Sequence, residues 1–279
     1  MTAVQVSVSG LFVYPVKSTR GIARTRVALT PMGLEWDRQW MIVNANGLFL
    51  TQRSHPQLAR IVPEVTSGAL VLNAPGLPAL SVPLAAAGAR AAVRIWDTPC
   101  VGVDQGSAAG EWLSQAVDEA VRLIRVAPDM GRNANPQFAG ATPAPIGFPD
   151  GYPILVCTEA SLEDLNGRLP ARIPMERFRP NIVLQGLPAW AEDHIDILEI
   201  GPVTLRLVKP CTRCTIPSID QQTGAPSTDP APALKQFRFS KPLRGVMFGE
   251  NAVIVRGSGE MLERGAAATA TFRATSRAL

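Results

Sequence analysis

Valines alternate with polar residues at the start of the chain, Val4-Gln5-Val6-Ser7-Val8, a period of two that puts alternate side chains on one face of a strand. The strand-like reading runs from Met1 to Tyr14. Thr25 to Leu29 and Trp40 to Val43 predict two more strands. Asn44-Ala45-Asn46-Gly47 follows as a hairpin turn, because Asn and Gly accept the positive φ of tight turns. Ala69 to Asn73, continuing to Pro83, predicts a meander; Arg94-Ile95-Trp96 and Cys100 to Val103 predict two short strands. From Ala108 to Val121 the period lengthens, and Trp112, Leu113, Ala116, Val117, Ala120 and Val121 share one face of a helix. Short strands closed by a helix predict a small β-barrel or sandwich.

Residues 126–149 carry no such pattern. Their prolines and glycines, from Pro128 to Pro149, predict a long loop of the kind that borders a site. After it, Tyr152 to Cys157 predicts a strand, and Thr158 caps a helix from Glu159 to Asn166 with acids in its first turns. Arg179 to Leu184, Val203 to Val208 and Asn251 to Arg256 predict strands, and Ala266 to Thr271 reads as an Ala/Thr-rich tail. The chain is thus mostly β with minor helix (α+β), in two domains, 1–125 and 126–279.

Length and composition narrow this further. The 279 residues suffice for one large or two ordinary domains. Hydrophobic residues at 46% and charged residues at 18% are a globular balance, neither disordered nor membrane-like. No apolar run approaches the roughly 18–20 residues of a membrane span. The start lacks the basic and then apolar pattern of a signal peptide. A cytoplasmic protein with no membrane span is the expectation. Four cysteines at irregular spacing do not make a disulfide framework. A net charge of +4 and a pI near 9.1 suit an anionic ligand. Nucleic acid is not expected, since no Lys/Arg run or basic stripe interleaved with aromatics occurs; the pI alone keeps a nucleic-acid-binding barrel in view.

Two cysteines lie in Lys209-Pro210-Cys211-Thr212-Arg213-Cys214-Thr215. A thiolate beside a guanidinium has a lowered pKa and serves as a nucleophile or soft-metal ligand. Three uses stay open: a redox dithiol, half a zinc site, or one metal-ligating cysteine with a bystander. A closed zinc site needs four ligands, and Cys100, Cys157, His55 and His194 stand at no ligand spacing. A thioredoxin-type pair opens a helix, whereas Thr215-Ile216-Pro217-Ser218 does not start one cleanly. Arg213 argues against burying the pair in a core, because an unpaired buried guanidinium is costly. Lys17 and Ser18, at the end of the first strand, can offer an ammonium, a hydroxyl and backbone N–H groups to a phosphate. Arg38 lies between Trp36 and Trp40, and Arg179 and Asn181 at a strand start. Together these residues would line a site for a large, polar, anionic cofactor.

Six motifs occur in order: Tyr14-Pro15-Val16-Lys17-Ser18; Met32-Gly33-Leu34 with Asp37-Arg38-Gln39-Trp40; Glu159-Ala160-Ser161-Leu162-Glu163-Asp164-Leu165-Asn166; Phe178-Arg179-Pro180-Asn181-Ile182-Val183; Cys211-Thr212-Arg213-Cys214; and Asp220-Gln221-Gln222-Thr223-Gly224. The set resembles the MOSC family, in particular its mitochondrial amidoxime-reducing and bacterial YcbX-type branches, from about Val8 to Arg256. The resemblance implies an N-terminal β-barrel domain, then a MOSC β-barrel domain. It also implies a molybdenum–molybdopterin cofactor (Moco) with one cysteine thiolate on the metal. It places the metal ligand and catalytic residue at Cys214, with Thr212 and Arg213 against the cofactor and Arg213 keeping the thiolate deprotonated. It assigns Lys17, Ser18, Arg38, Arg179 and Asn181 to the phosphate and pterin end. Gly151 and Tyr152 fall where the family has a Thr-Ser pair, and Asn251 where some relatives have tyrosine; these three complete the cofactor-binding set.

The implied reaction is two-electron reduction of small N-hydroxylated, or related N- or S-oxygenated, compounds. The alternative is a carrier that holds the cofactor, or a persulfide on Cys214, without turnover. No cysteine follows Cys214 and the sequence opens on the first strand, so neither a C-terminal ferredoxin-type cluster nor an N-terminal anchor is expected. Electrons are expected from a separate donor protein, of ferredoxin or cytochrome type with its reductase. No G-x-G-x-x-G fingerprint points to direct NADH binding.

Overall fold

The computed structural model of the protein describes residues 2–84 and 88–274. Seven strands close into a barrel. Their order around it is Ala3–Val13, Ala267–Phe272, Ile195–Ile200, Val203–Thr212, Gly245–Arg256, Ile154–Thr158, Ile182–Gln185, and back to Ala3–Val13. All neighbours are antiparallel except Ile154–Thr158 and Ile182–Gln185, which run parallel with Val156 opposite Ile182. Closure leaves these seven strands no free edge.

The first strand shows how sequence sets this geometry. Val4, Val6 and Val8 alternate, and Leu11 and Val13 continue one residue out of phase. A bulge between Val8 and Gly10 absorbs the extra residue, so both halves face one core. Val156, Leu184, Leu198, Leu205, Leu207, Ala252 and Ala270 fill the same core. Ala267–Phe272 corrects the expected Ala/Thr-rich tail: it is a strand between Ala3–Val13 and Ile195–Ile200. Its inward residues, Ala268 and Ala270, are small enough to give little hydrophobic contrast in the sequence, yet they are fully packed.

The barrel is otherwise built from residues beyond 153, so the first strand crosses into the sheet of the second half. Of the rest of the first half, Ile22–Arg24 pairs with the first strand, and Arg26–Thr30 lies between Gly33–Leu34 and Met261–Glu263 in a small sheet. The remaining strands form a four-stranded antiparallel sheet, ordered Trp40–Asn44, Val121–Val126, Thr98–Asp104 and Arg90–Ile95, and a three-stranded meander from Val62 to Pro83. A helix, Ser107–Val117, packs Trp112, Leu113 and Val117 against Trp40, Ile42 and Leu58. It stops short of the expected Val121 because Asp118 turns left-handed at φ 56°, and Val121 begins a strand instead. Trp96 is likewise not a strand residue: it turns the hairpin between Arg90–Ile95 and Thr98–Asp104 at φ 53°.

Two segments join these parts. Past Val13 the chain leaves the barrel along Trp40; the Lys17 N–H donates to the Trp40 carbonyl at 2.8 Å, and the Trp40 N–H to Pro15 at 3.0 Å. Residues 126–149 are packed down rather than loose. Ala134, Ala139 and Ala144 are buried against Val208 and Val253 of the barrel wall. Arg132 clamps the end of this segment, donating to the carbonyls of Gly147 at 3.0 Å, Pro149 at 2.5 Å and Asp150 at 2.8 Å. Among the described residues, no helix is long and apolar enough to cross a membrane.

Candidate functional site

A cleft of about 370 Å³ opens at the seam between the barrel and the four-stranded sheet, within the range of small-molecule sites. Lys17, Ser18, Arg38, Gly151, Tyr152, Arg179, Asn181, Thr212, Arg213, Cys214 and Asn251 all line it. Residues as far apart in sequence as Lys17 and Asn251 therefore meet in one place, and none of those singled out from the sequence lies elsewhere. The lining also includes Phe49, Arg53, Trp96, Asp150, Phe178 and Cys211. Five basic side chains thus face one carboxylate, an arrangement that draws anions.

The basic side is built on backbone positions that hold the side chains in place. Arg38 and Arg179 both adopt left-handed φ, 48° and 56°, so Arg179 precedes its strand rather than opening it as expected; the strand begins at Ile182. The two guanidinium groups stack on the Tyr14 ring at 4.3 and 4.2 Å. Arg38 donates to the Asp37 carboxylate at 2.5 Å, to Asn181 Oδ1 at 3.3 Å and to the Arg179 carbonyl at 3.2 Å. Arg179 donates from Nη1 to the Thr19 carbonyl at 2.6 Å, while its Nη2 is buried with no partner among the described residues. Burial, and then the neighbouring Arg38 charge, lower the Arg179 pKa to about 10. A buried unpaired donor is costly, so Nη2 is a ready place for an anion.

Lys17 is buried and occupied. Its ammonium donates to Asp150 at 2.6 Å and to the Phe148 carbonyl at 2.9 Å. Burial lowers the Lys17 pKa, and Asp150 opposes that. Burial also acts to raise the Asp150 pKa, but the Lys17 charge and hydrogen bond outweigh it and hold the carboxyl at about 2. Ser18 adopts a left-handed φ of 68°, and its carbonyl accepts from Gln52 at 2.8 Å. Asn181 is mainly a splice. Its Oδ1 accepts from the Leu155 N–H at 3.0 Å and its Nδ2 donates to the Phe12 carbonyl at 3.3 Å, tying three barrel strands together at the cleft. Asn251 Nδ2 donates to the Lys209 carbonyl at 3.2 Å. A Cβ on Gly151 would meet no atom within 4 Å, so open space stands where the family pattern has a larger residue.

The sulfur side is different. Val203–Thr212 carries Cys211 and Thr212 at its end, and a 3-10 turn follows at Ile216–Ser218. Cys214 is exposed and hydrogen-bonds to none of the described residues. Arg213 feels the charges of both Cys211 and Cys214, and of the two thiols its hydrogen bond goes to Cys211. Its Nη1 donates to Cys211 Sγ at 2.9 Å and its Nη2 to the Phe178 carbonyl at 2.7 Å. Arg213 follows the strand directly and its N–H still donates to the Val246 carbonyl at 2.8 Å, so the extended backbone continues and puts the i and i+2 side chains, Cys211 and Arg213, on one face. Among the described residues, no three His, Cys, Asp or Glu side chains cluster as a metal-ligand set.

Two of the six motifs brace the cleft rather than line it. Thr158 caps the helix Glu159–Asn166, and with Ser161 it donates to the buried Glu192, at 3.0 and 2.8 Å. Asp220 folds its own turn by accepting from the N–H groups of Gln222 and Thr223, and it pairs with Arg177 at 3.1 Å. Gln221 and Gln52 exchange amide hydrogen bonds at 2.9 and 3.0 Å, fixing that turn to the first half.

Comparison with known proteins fits this geometry. A model of the MOSC N-terminal beta barrel domain matches residues 5–120, and one of the MOSC domain matches residues 143–267. The mitochondrial amidoxime-reducing component 1 of Mus musculus is 33% identical over 254 residues, covering 88% of this chain and 75% of that protein. The human component 1 is 32% identical, covering 88% and 76%. The component 2 of Bos taurus is 31% identical, covering 85% and 73%. With both domains matched in order and relatives this similar along most of its length, the chain belongs to the MOSC family, alongside the mitochondrial amidoxime-reducing components.

Proposed function

We propose that the protein is a Moco-dependent reductase of N-hydroxylated compounds, with residues 126–279 as the cofactor-binding domain and 1–125 as an N-terminal barrel domain that lends it the first strand. The observation that carries this reading is the Arg179 Nη2, unpartnered among the described residues, in a cleft with Lys17, Arg38 and Arg179 on one side and an accessible thiol, Cys214, on the other. A dianionic phosphate fits the first and a soft metal the second. The amidoxime-reducing relatives supply the reaction class.

Lys17, Ser18, Arg38 and Arg179 would hold the phosphate and pterin end, with Gly151, Tyr152, Asn181 and Asn251 shaping the floor. Thr212, Arg213 and Cys214 would hold the metal end, Cys214 as its protein thiolate. When bound, the cofactor supplies the two-electron redox chemistry. The chain's residues bind, orient and set charge. For an amidoxime, two electrons and two protons break the N–O bond, leaving an amidine and water. Asp150 is the one carboxylate in the described lining, and Lys17 keeps it ionised at neutral pH, so it is not the proton donor. The protons come from solvent, which reaches the exposed Cys214. The electrons come from a separate donor protein.

The test is elemental analysis with pterin fluorescence on purified protein, followed by turnover of an amidoxime with reduced viologen. Molybdenum near one per chain with turnover supports the reductase. Loaded protein without turnover, or a persulfide on Cys214 without metal, supports the carrier.

A further inference from the structure

Trp96 is the largest exposed side chain of the cleft, 46% accessible, and nothing in the cofactor reading uses it. A large aromatic in water at a hairpin tip is usually free to swing. Here it is fixed on three sides. Its Nε1 donates to Asp150 Oδ1 at 3.2 Å. Phe49 meets it edge-to-face with ring centroids 5.2 Å apart. The Arg53 guanidinium stacks over the indole at 4.4 Å. The backbone at Trp96 is left-handed, φ 53°, an uncommon state for a bulky residue that persists only when its surroundings hold it. The chain therefore holds an apolar, π-rich plate at the open side of a polar, cationic cleft.

We propose that Trp96, backed by Arg53 and Phe49, is a substrate-positioning platform that selects N-hydroxylated compounds with a flat aryl body. It deepens the reductase reading and rests on it. The aryl group lies against the indole while the N–O group reaches toward the Cys214 side of the same cleft. Offset stacking on a fixed indole contributes about 0.5–1.5 kcal/mol beyond area burial, roughly two- to twelvefold in affinity. A small alkyl amidoxime gains none of this.

The experiment compares benzamidoxime with acetamidoxime in wild type, Trp96→Leu and Trp96→Phe, each with measured molybdenum content. The expected result is that the aryl-over-alkyl ratio of kcat/KM falls about five- to tenfold in Trp96→Leu, through KM for the aryl compound, and largely returns in Trp96→Phe. An unchanged ratio in Trp96→Leu overturns the proposal. So does a loss that Trp96→Phe fails to restore, since that would point to the indole N–H bond with Asp150. Calorimetric titration of the same three proteins with benzamidoxime reads the platform without turnover. If wild type reduces neither compound, the reductase reading fails. In that case weaker aryl binding by Trp96→Leu still supports the platform, and equal binding overturns it.

Discussion

The two sides of the cleft are built on opposite plans. On the basic side Lys17 and Arg179 are 6% and 8% exposed, and each is held by protein partners before any ligand arrives. On the sulfur side Cys214 is exposed and bonded to none of the described residues. Ordering a long cationic side chain costs up to about 2 kcal/mol of rotamer entropy. Folding has already met that cost on the basic side, so an anion docks on a prepared surface. On the proposed reductase reading the sulfur side would admit a substrate and a donor protein in turn, and Cys214 there is exposed. The difference separates retention from chemistry: damage to one side should empty the cleft, and damage to the other should leave it filled but inactive.

The sharpest way to break that division is at the two cysteines. Cys214→Ala should abolish reductase activity, a loss of at least a hundredfold on the scale of a removed catalytic nucleophile or ligand. Cys211→Ala should retain much of it, because Cys211 meets Arg213 within the protein. Steady-state assays with reduced viologen on both variants, corrected for molybdenum, test this. Equal losses, with a Cys211–Cys214 disulfide in oxidised wild type, would replace a metal thiolate with a dithiol.

The basic side should show the complementary defect. A charge-assisted contact contributes roughly 1.5–3 kcal/mol, or about 10- to 150-fold in affinity. Arg179→Ala and Lys17→Ala should purify with much less molybdenum, while residual activity per molybdenum stays near wild type. Full occupancy in the double variant would show that these residues do not hold the cofactor.

Much of this was legible in the sequence, for reasons that also mark its limits. Alternating Val, Leu and Ile produced the barrel strands that have them, and Thr158 was readable as a cap from its position alone. Ala267–Phe272 was not readable, because alanine and threonine give little contrast between faces. In the cleft, the residues within motifs were legible through the family resemblance. Arg53, Trp96 and Asp150 were not: each is an ordinary turn or loop residue until folding brings it against the others. Spacing alone cannot say which of two neighbouring thiols takes the Arg213 hydrogen bond; it is Cys211, while the charges of both thiols reach the guanidinium. Of the Pro/Gly-rich stretch 126–149 the cleft lining includes Pro149 alone, and Arg132 clamps that end.

A carboxylate outside both sides gives the smallest and most physical test. Asp150 and Glu192 are both acids in a folded protein, and only Asp150 has a cation. Glu192 is fully buried against two hydroxyls, Thr158 and Ser161, with Oε1 unpartnered among the described residues, and burial pushes its pKa up to about 7. A raised carboxyl pKa means that the folded state keeps its proton while the unfolded chain has lost it. Stability is therefore fully present below the ordinary value of 4.5, falls as pH rises toward 7, and levels off above. At about 1.4 kcal/mol per pH unit, the gap from 4.5 to about 7 caps the loss at ~3 kcal/mol. Glu192→Gln keeps an acceptor for both hydroxyls and cannot ionise. Guanidinium unfolding at pH 5 and pH 8 should show wild type losing stability between the two, with most of that loss absent in the variant. Activity per molybdenum should be unchanged, because Glu192 lies outside the cleft lining. An equal pH dependence in both proteins would mean that a cation or water reaches Glu192 and that burial alone does not set its charge.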